Sequence, residues 1–199
     1  MQGERTIKLP VDRNLYIIGR MTCESVTDII KSINDIRQSD LSLSYEYRSL
    51  GAKYIPNPIM LFVNSYGGEV YPSLGLVSLM TTSSENLPEG VVRTDIDTFC
   101  LGIAASMAFI VFISGRNKHC TPYSSFMVHE LFNVGIGAPK DLVTTAEESV
   151  RLQKVLKNIT ISKTGITSRK FDAEITKRGD WWFDTEEAKK LNVITSILV

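Results

Sequence analysis

Ile59-Met60-Leu61-Phe62-Val63 is an unbroken apolar run with no polar residue alternating through it. A half-solvated strand alternates, whereas an unbroken run suits a strand covered on both faces, as in parallel sheets flanked by helices. The run ends in Asn64-Ser65-Tyr66-Gly67-Gly68, and Val70 to Met80 then takes helical character. Strand, turn and helix recur at Val91 to Phe99, Gly102, and Ala104 to Ile113. A third strand, Ser125 to Val128, runs into His129. Repeated units of this kind predict an α/β fold with its sites at the strand ends.

The remaining segments fit around these units. Asn14 to Ile18 reads as a short strand stopped by Gly19, and Cys23 to Ile36 as a helix with Val26, Ile29, Ile30, Ile33 and Ile36 on its apolar side. Ser39 to Pro58 is rich in Ser and Tyr and carries Gly51, Pro56 and Pro58, so a loop or insertion is expected there. Lys140 to Ser162 predicts a long helix, Ser168 to Lys177 another, and Thr185 to Leu191 a short one before a strand at Val193 to Leu198. The 199 residues are expected to form one domain, 1–199.

Composition excludes several function classes. Lys+Arg and Asp+Glu stand at 22 each, so no basic surface calls for nucleic acid or anionic lipid. Cys23, Cys100 and Cys120 are an odd number without CxxC spacing, against a disulfide framework or zinc site and in keeping with a reducing interior. Met1 to Pro10 has no apolar leader-like core, and the apolar run near Met107 to Ile113 is too short to span a bilayer. A cytoplasmic protein is expected, or one in a compartment of similar redox character.

Four features bear on chemistry. Gly102-Ile103-Ala104-Ala105-Ser106-Met107-Ala108 places one hydroxyl between small residues at a strand-to-helix junction. A nucleophile needs such an exposed oxygen, a nearby base and N–H donors for the oxyanion, although a tightly packed helix start uses the same residue types. His129, at a strand end, is the better base for Ser106, because His119 sits in the polar turn Arg116-Asn117-Lys118-His119 and is expected to be solvated. The imidazole's second nitrogen would need a carboxylate, and Asp180 in Gly179-Asp180-Trp181-Trp182-Phe183 is the choice over Asp184. Asp184-Thr185-Glu186-Glu187 suits a helix N-cap with acidic first-turn residues. Gly67-Gly68, after the apolar run, would let a backbone N–H turn toward an anion, or serve as a simple tight turn.

In combination, the chain resembles ClpP, the proteolytic subunit of the Clp protease, over nearly its whole length. Asn64-Ser65-Tyr66-Gly67-Gly68 is similar to that family's N-S-P-G-G, Gly102 to Met107 to its G-Q-A-A-S-M, and Met127-Val128-His129 to its M-I-H, with Asp180 in the place of the third triad member. Glu187-Ala188 and the closing Ser196-Ile197 fit its C-terminal pattern. The resemblance implies a ClpP/crotonase-type fold with a protruding handle helix at about residues 139–164, Gly135-Ile136-Gly137 lying in the strand before it. It implies Ser106 as nucleophile, His129 as base then acid, Asp180 as its orienter, and the N–H groups of Gly68 and Met107 as oxyanion hole, with Val70 and Phe132 beside the substrate groove. It further implies heptameric rings stacked as a tetradecamer, unfolded protein substrates, and no cofactor in this chain, ATP being used by a partner AAA+ unfoldase. Ring mates could include other ClpP subunits, and the compartment could be cytoplasm, plastid stroma or the cytoplasm of an infected host.

Departures from the family pattern set the alternatives. The N-terminal hairpin preceding Gly3-Glu4-Arg5 is expected to be absent or shortened, Arg178-Gly179 replaces an acidic–basic pair, Glu130-Leu131 replaces Gln-Pro, and Ser39 to Pro58 is longer than its counterpart. A serine endopeptidase is the leading expectation. A non-catalytic subunit that co-assembles with an active ClpP is the second. An acyl-CoA hydratase or isomerase of the crotonase type ranks far lower, because such enzymes place a carboxylate rather than a Ser-His-Asp set at the reacting centre.

Overall fold

A computed structural model describes residues 12–82, 94–132 and 136–198. Its centre is a parallel sheet of β1 (Asn14–Met21), β2 (Ile59–Gly68), β3 (Ile96–Ala105), β4 (Lys118–Cys120) and β7 (Ser196–Ile197), adjacent in the order β1-β2-β3-β4-β7. β5 (Ser125–His129) pairs parallel with the far end of β3, and β6 (Asp180–Phe183) pairs antiparallel with β5. The helices are α1 (Cys23–Ser49), α2 (Val70–Thr81), α3 (Met107–Ile113), α4 (Pro139–Lys163), α5 (Ser168–Arg178) and α6 (Thr185–Lys190). The mixed α/β architecture is the one the repeated units predict. No helix among the described residues is long and apolar enough to cross a membrane.

The apolar runs explain the core. Ile59, Leu61 and Val63 are fully buried on one face of β2, and all seven residues of α3 are buried, so this short helix is apolar all round because it lies inside the protein. On the opposite face of the sheet, Tyr16, Phe62, Phe99 and His119 stack in a row across β1 to β4, with successive ring centroids 5.2, 5.0 and 4.8 Å apart. His119 is therefore not the solvated turn residue expected. It sits on β4, stacked on Phe99, with its Nδ1 2.7 Å from Ser196 Oγ.

Other elements also depart from expectation. β1 continues past Gly19, whose φ of 76° forms a bulge between Ile18 and Arg20. Gly102 lies within β3 rather than at a turn, and the chain reverses at Ser106. β7 is two residues long instead of spanning Val193 to Leu198. Most of the expected loop at 39–58 is helix, since α1 runs to Ser49 and only Leu50 to Pro58 is irregular. The N-terminal segment through Val11, the start of the expected strand at Val91, and Gly135 lie outside the described residues, while Ile136 and Gly137 are exposed and belong to no strand.

α1 extends because it is fastened at its start and again in its second half. Thr22 and Ser25 form a reciprocal capping box at the start. Seventeen residues further on, the Asp40 side chain is fully buried and accepts hydrogen bonds from Arg13, from Thr94 Oγ1 and from Tyr54 Oη, the last at 2.6 Å. Burial alone would push this carboxyl up, but the bonds from Arg13, Thr94 and Tyr54 outweigh it and hold its pKa below the ordinary 3.8. Burial, followed by the bond to Asp40, pushes the Tyr54 phenol up to about 12, so it stays a donor well into alkali.

Asp40→Asn is expected to cost about 3 kcal/mol at pH 7, because it leaves Arg13 beside a neutral amide in a buried network. A carboxylate with a depressed folded pKa stabilises the fold above its unfolded pKa and loses that contribution as pH falls through the folded value. Urea denaturation should therefore show a wide gap between wild type and Asp40→Asn at pH 7 that closes toward pH 2. A gap independent of pH would show that the charge of Asp40 is immaterial.

Candidate active site

Ser106 occupies the single turn between β3 and α3, with φ 54° and ψ −125°. A non-glycine residue pays strain for such a backbone, of the order of 1–3 kcal/mol, and keeps it only where its surroundings leave no alternative. Those surroundings are tight. Ser106 N–H donates to Met127 C=O at 2.9 Å, and Ser106 C=O accepts from Phe109 N–H at 3.0 Å. Gly67, at φ 96°, packs so closely that a Cβ there would lie 2.8 Å from Ala105 O, 2.9 Å from Met107 N and 2.9 Å from Ser106 Cβ. A glycine at 67 is thus required by a close crossing of β2 and the β3–α3 turn.

His129 ends β5, whose register with β3 sets Met127 beside Ala105. One residue beyond Ala105 and two beyond Met127, the two side chains meet: His129 Nε2 lies 2.7 Å from Ser106 Oγ. Both residues are half-buried. This is the distance at which an imidazole can take a hydroxyl proton.

Asp180 is the cross-strand partner of His129 in the β5–β6 register. Its carboxylate is exposed, and among the described residues no hydrogen bond joins it to the imidazole. Just before it, Gly179 ends α5 at φ 71° and Arg178 turns back to Glu174, with Nε 3.1 Å from Oε2. Asp184 is the N-cap of α6, accepting from Glu187 N–H at 2.9 Å, which is the structural role its sequence context suggests.

Gly67, Gly68, Val70, Ser106, Met107, His129 and Phe132 all line one cleft of about 430 Å3, while Asp180 is not among its lining residues. Met107 is the first residue of α3, where a backbone N–H has no partner within the helix. Gly68 lies at the end of β2, where a Cβ would be 2.0 Å from Met21 O. Several cleft residues escaped the sequence reading. Arg20 reaches it from the end of β1, and Gln153, Thr160 and Phe171 line its helical flank. Gln153 Oε1 accepts from Leu131 N–H at 2.8 Å, tying α4 to the segment that follows His129. The position of Arg20 at a parallel strand's C-terminal end was a usable signal, since that edge of an α/β sheet carries its sites.

Cysteine does not supply a competing nucleophile in the core: burial pushes the Cys100 thiol up and the Cys120 thiol to about 11. Among the described residues no three His, Cys, Asp or Glu side chains are grouped to hold a metal ion.

Fold and site together define an α/β protein with a serine–histidine pair at the C-terminal edge of a parallel sheet. The chain belongs to the Clp protease family, whose sequence profile matches residues 13–199. A protein named ATP-dependent Clp protease proteolytic subunit from Bacteroides fragilis strain NCTC 9343 is 30% identical over 187 residues, covering 93% of this chain and 84% of that protein. Its namesake from Bacteroides thetaiotaomicron is 29% identical over 187 residues, covering 93% of this chain and 79% of its own length. These relationships support a peptidase.

Proposed function

We propose that the chain is a ClpP-like serine endopeptidase that hydrolyses unfolded proteins and peptides. The observation that carries this is the 2.7 Å contact between His129 Nε2 and Ser106 Oγ at a backbone turn held in a strained conformation. His129 takes the hydroxyl proton as Ser106 Oγ attacks the scissile carbonyl carbon. The oxyanion is received by the N–H groups of Gly68 and Met107, and His129 then returns the proton to the leaving amine. Water, activated by the same imidazole, releases the acyl group. Asp180 orients the second imidazole nitrogen. Directly opposed antiparallel residues hold their Cβ atoms about 5 Å apart, so a side-chain rotation is enough to bring the carboxylate to Nδ1.

The proposed active form is a pair of stacked heptameric rings fed by an AAA+ unfoldase that spends the ATP. α4 supports this as the ring-joining handle: only Leu152 and Thr160 of its 25 residues are buried, and Leu142, Val143 and Val150 are exposed. A helix with so little of its own burial needs a partner surface. The free cysteines suit a reducing compartment, the cytoplasm or plastid stroma. One observation favours a second reading, a regulatory subunit that co-assembles with an active ClpP: the carboxylate of Asp180 is exposed and not bonded to His129.

A fluorophosphonate probe tests both. Labelling of Ser106 in the protein alone is expected, lost in Ser106→Ala and His129→Ala and slowed at least tenfold in Asp180→Asn. Labelling that requires a second ClpP subunit supports the co-assembly reading, and no labelling in any mixture removes the protease reading.

A further inference from the structure

The active-site cleft carries two charges that the proposed chemistry does not use. It crosses the strand ends in the order β1, β2, β3, β5, and is lined there by Arg20, Gly67 and Gly68, Ser106, and then His129 and Glu130. Arg20 is exposed, in register with Gly67 and next to the Met21–Gly68 pair. Glu130 is exposed on the far side of the serine. Among the described residues neither makes an ion pair, although other cations of the molecule do: Arg13 pairs with Asp40, Arg116 with Asp95 and Asp97, Arg151 with Glu148 and Lys157 with Asp172. A cation at the β1 end of the cleft and an anion just past the histidine, on either side of the nucleophile, make a directional field for any extended chain crossing the serine.

We propose that this polarity makes Arg20 a specificity-determining residue, so that the cleft prefers peptides carrying an acidic side chain at one position about three residues from the scissile bond. The inference rests on the serine endopeptidase reading. The spacing follows from the sheet. Two strand steps separate β1 from β3, each about 4.8 Å, so Arg20 stands about 10 Å from Ser106 along the cleft. An extended peptide advances about 3.4 Å per residue, which brings its third side chain from the scissile bond to the guanidinium. Glu130 stands much closer to the reacting carbonyl, beside His129, and disfavours an acidic residue adjoining the bond on its side. The expected preference is moderate, about fivefold, because ion pairs open to water are weak.

Quenched peptides identical except at the third position on either side of the scissile bond, bearing Asp, Asn or Lys there, test this on the full chain. On one of the two sides, wild type should cleave the Asp peptide about fivefold better than the Lys peptide in kcat/KM. The ratio should fall toward unity in 1 M salt, where charges more than about 3 Å apart are screened. Arg20→Gln should erase it and Arg20→Glu invert it. A residue that merely shaped the cleft would change all three peptides together and leave the ratio and its salt dependence alone. Equal cleavage of Asp and Lys peptides by wild type, or a ratio unchanged in Arg20→Glu, overturns the inference while cleavage of the Asn peptide upholds the protease reading. Failure of wild type to cleave the Asn peptide in any assembly removes both.

Discussion

Ser106→Ala is expected to reduce peptide hydrolysis by a factor on the order of 10⁶, the loss typical when a serine nucleophile that works as a unit with its histidine is deleted. The comparison with Ser106→Gly makes the result more informative than activity alone. At φ 54° and ψ −125°, alanine inherits the strain that serine bears, whereas glycine does not. Glycine also frees the unfolded chain, which offsets part of the relief. Both variants should be inactive, yet Ser106→Gly should be about 1 kcal/mol more stable than Ser106→Ala by urea denaturation. Equal stability of the two would mean that the turn is unstrained in solution, and measurable hydrolysis by either would remove Ser106 from the nucleophile's place.

Gly68→Ala should be among the most destabilising single changes available in this chain, at about 4 kcal/mol. The added Cβ would stand 2.0 Å from Met21 O, 2.7 Å from Met21 C and 2.9 Å from Met21 N, all backbone atoms of the neighbouring strand. None can rotate aside as a side chain would, so β1 and β2 must separate locally, and the bond from Glu69 N–H to Met21 O at 2.9 Å is lost with them. Gly75→Ala is the matched control. It lies in α2 with nothing within 4 Å of the new methyl, and should stabilise by about 0.5–1 kcal/mol through helix propensity. Urea midpoints of the two variants moving in the same direction would refute the steric account.

The parts of the fold legible in the sequence were those whose apolar pattern is long enough to define a period. α2, α4, α5 and α6 fall close to their predicted bounds, and β2 starts where the run Ile59 to Val63 places it but continues to Gly68 through the segment expected to turn. The far half of α1 was not legible, since its Ser and Tyr residues carry little helical signal. What holds it is Asp40, whose partners Arg13, Tyr54 and Thr94 are distant in sequence. β4 and β6 were missed for a different reason. At three and four residues they are shorter than any window in which alternation can be recognised, though β6 does alternate, with Trp181 and Phe183 inward and Asp180 and Trp182 outward. At the site, the meeting of Ser106 with His129 could be anticipated from two strand ends and one family pattern. The missing bond between Asp180 and His129 could not, because a side-chain rotamer on an exposed strand end leaves no trace in residue order. Arg20 is hidden in the sequence because Gly19 reads as a strand stop, whereas in the structure it is a bulge that carries the strand two residues further, as far as the cleft.

β3 lends one edge to two strands in succession. Thr98 to Cys100 pair with β4, then Leu101 and Gly102 pair with neither, then Ile103 to Ala105 pair with β5. The serine thus belongs to the main sheet, while the histidine belongs to a two-stranded leaf, β5 with β6, hinged on three residue pairs. The leaf is also held from behind, because Phe126, Trp181 and Phe183 are buried in the core, where Phe126 packs against Phe112 and Phe183 against Phe109 and Trp181. The approach of His129 to Ser106 therefore rests on packing behind the sheet as much as on the ladder, and a core substitution such as Phe126→Leu, remote from the cleft, is expected to loosen the 2.7 Å contact.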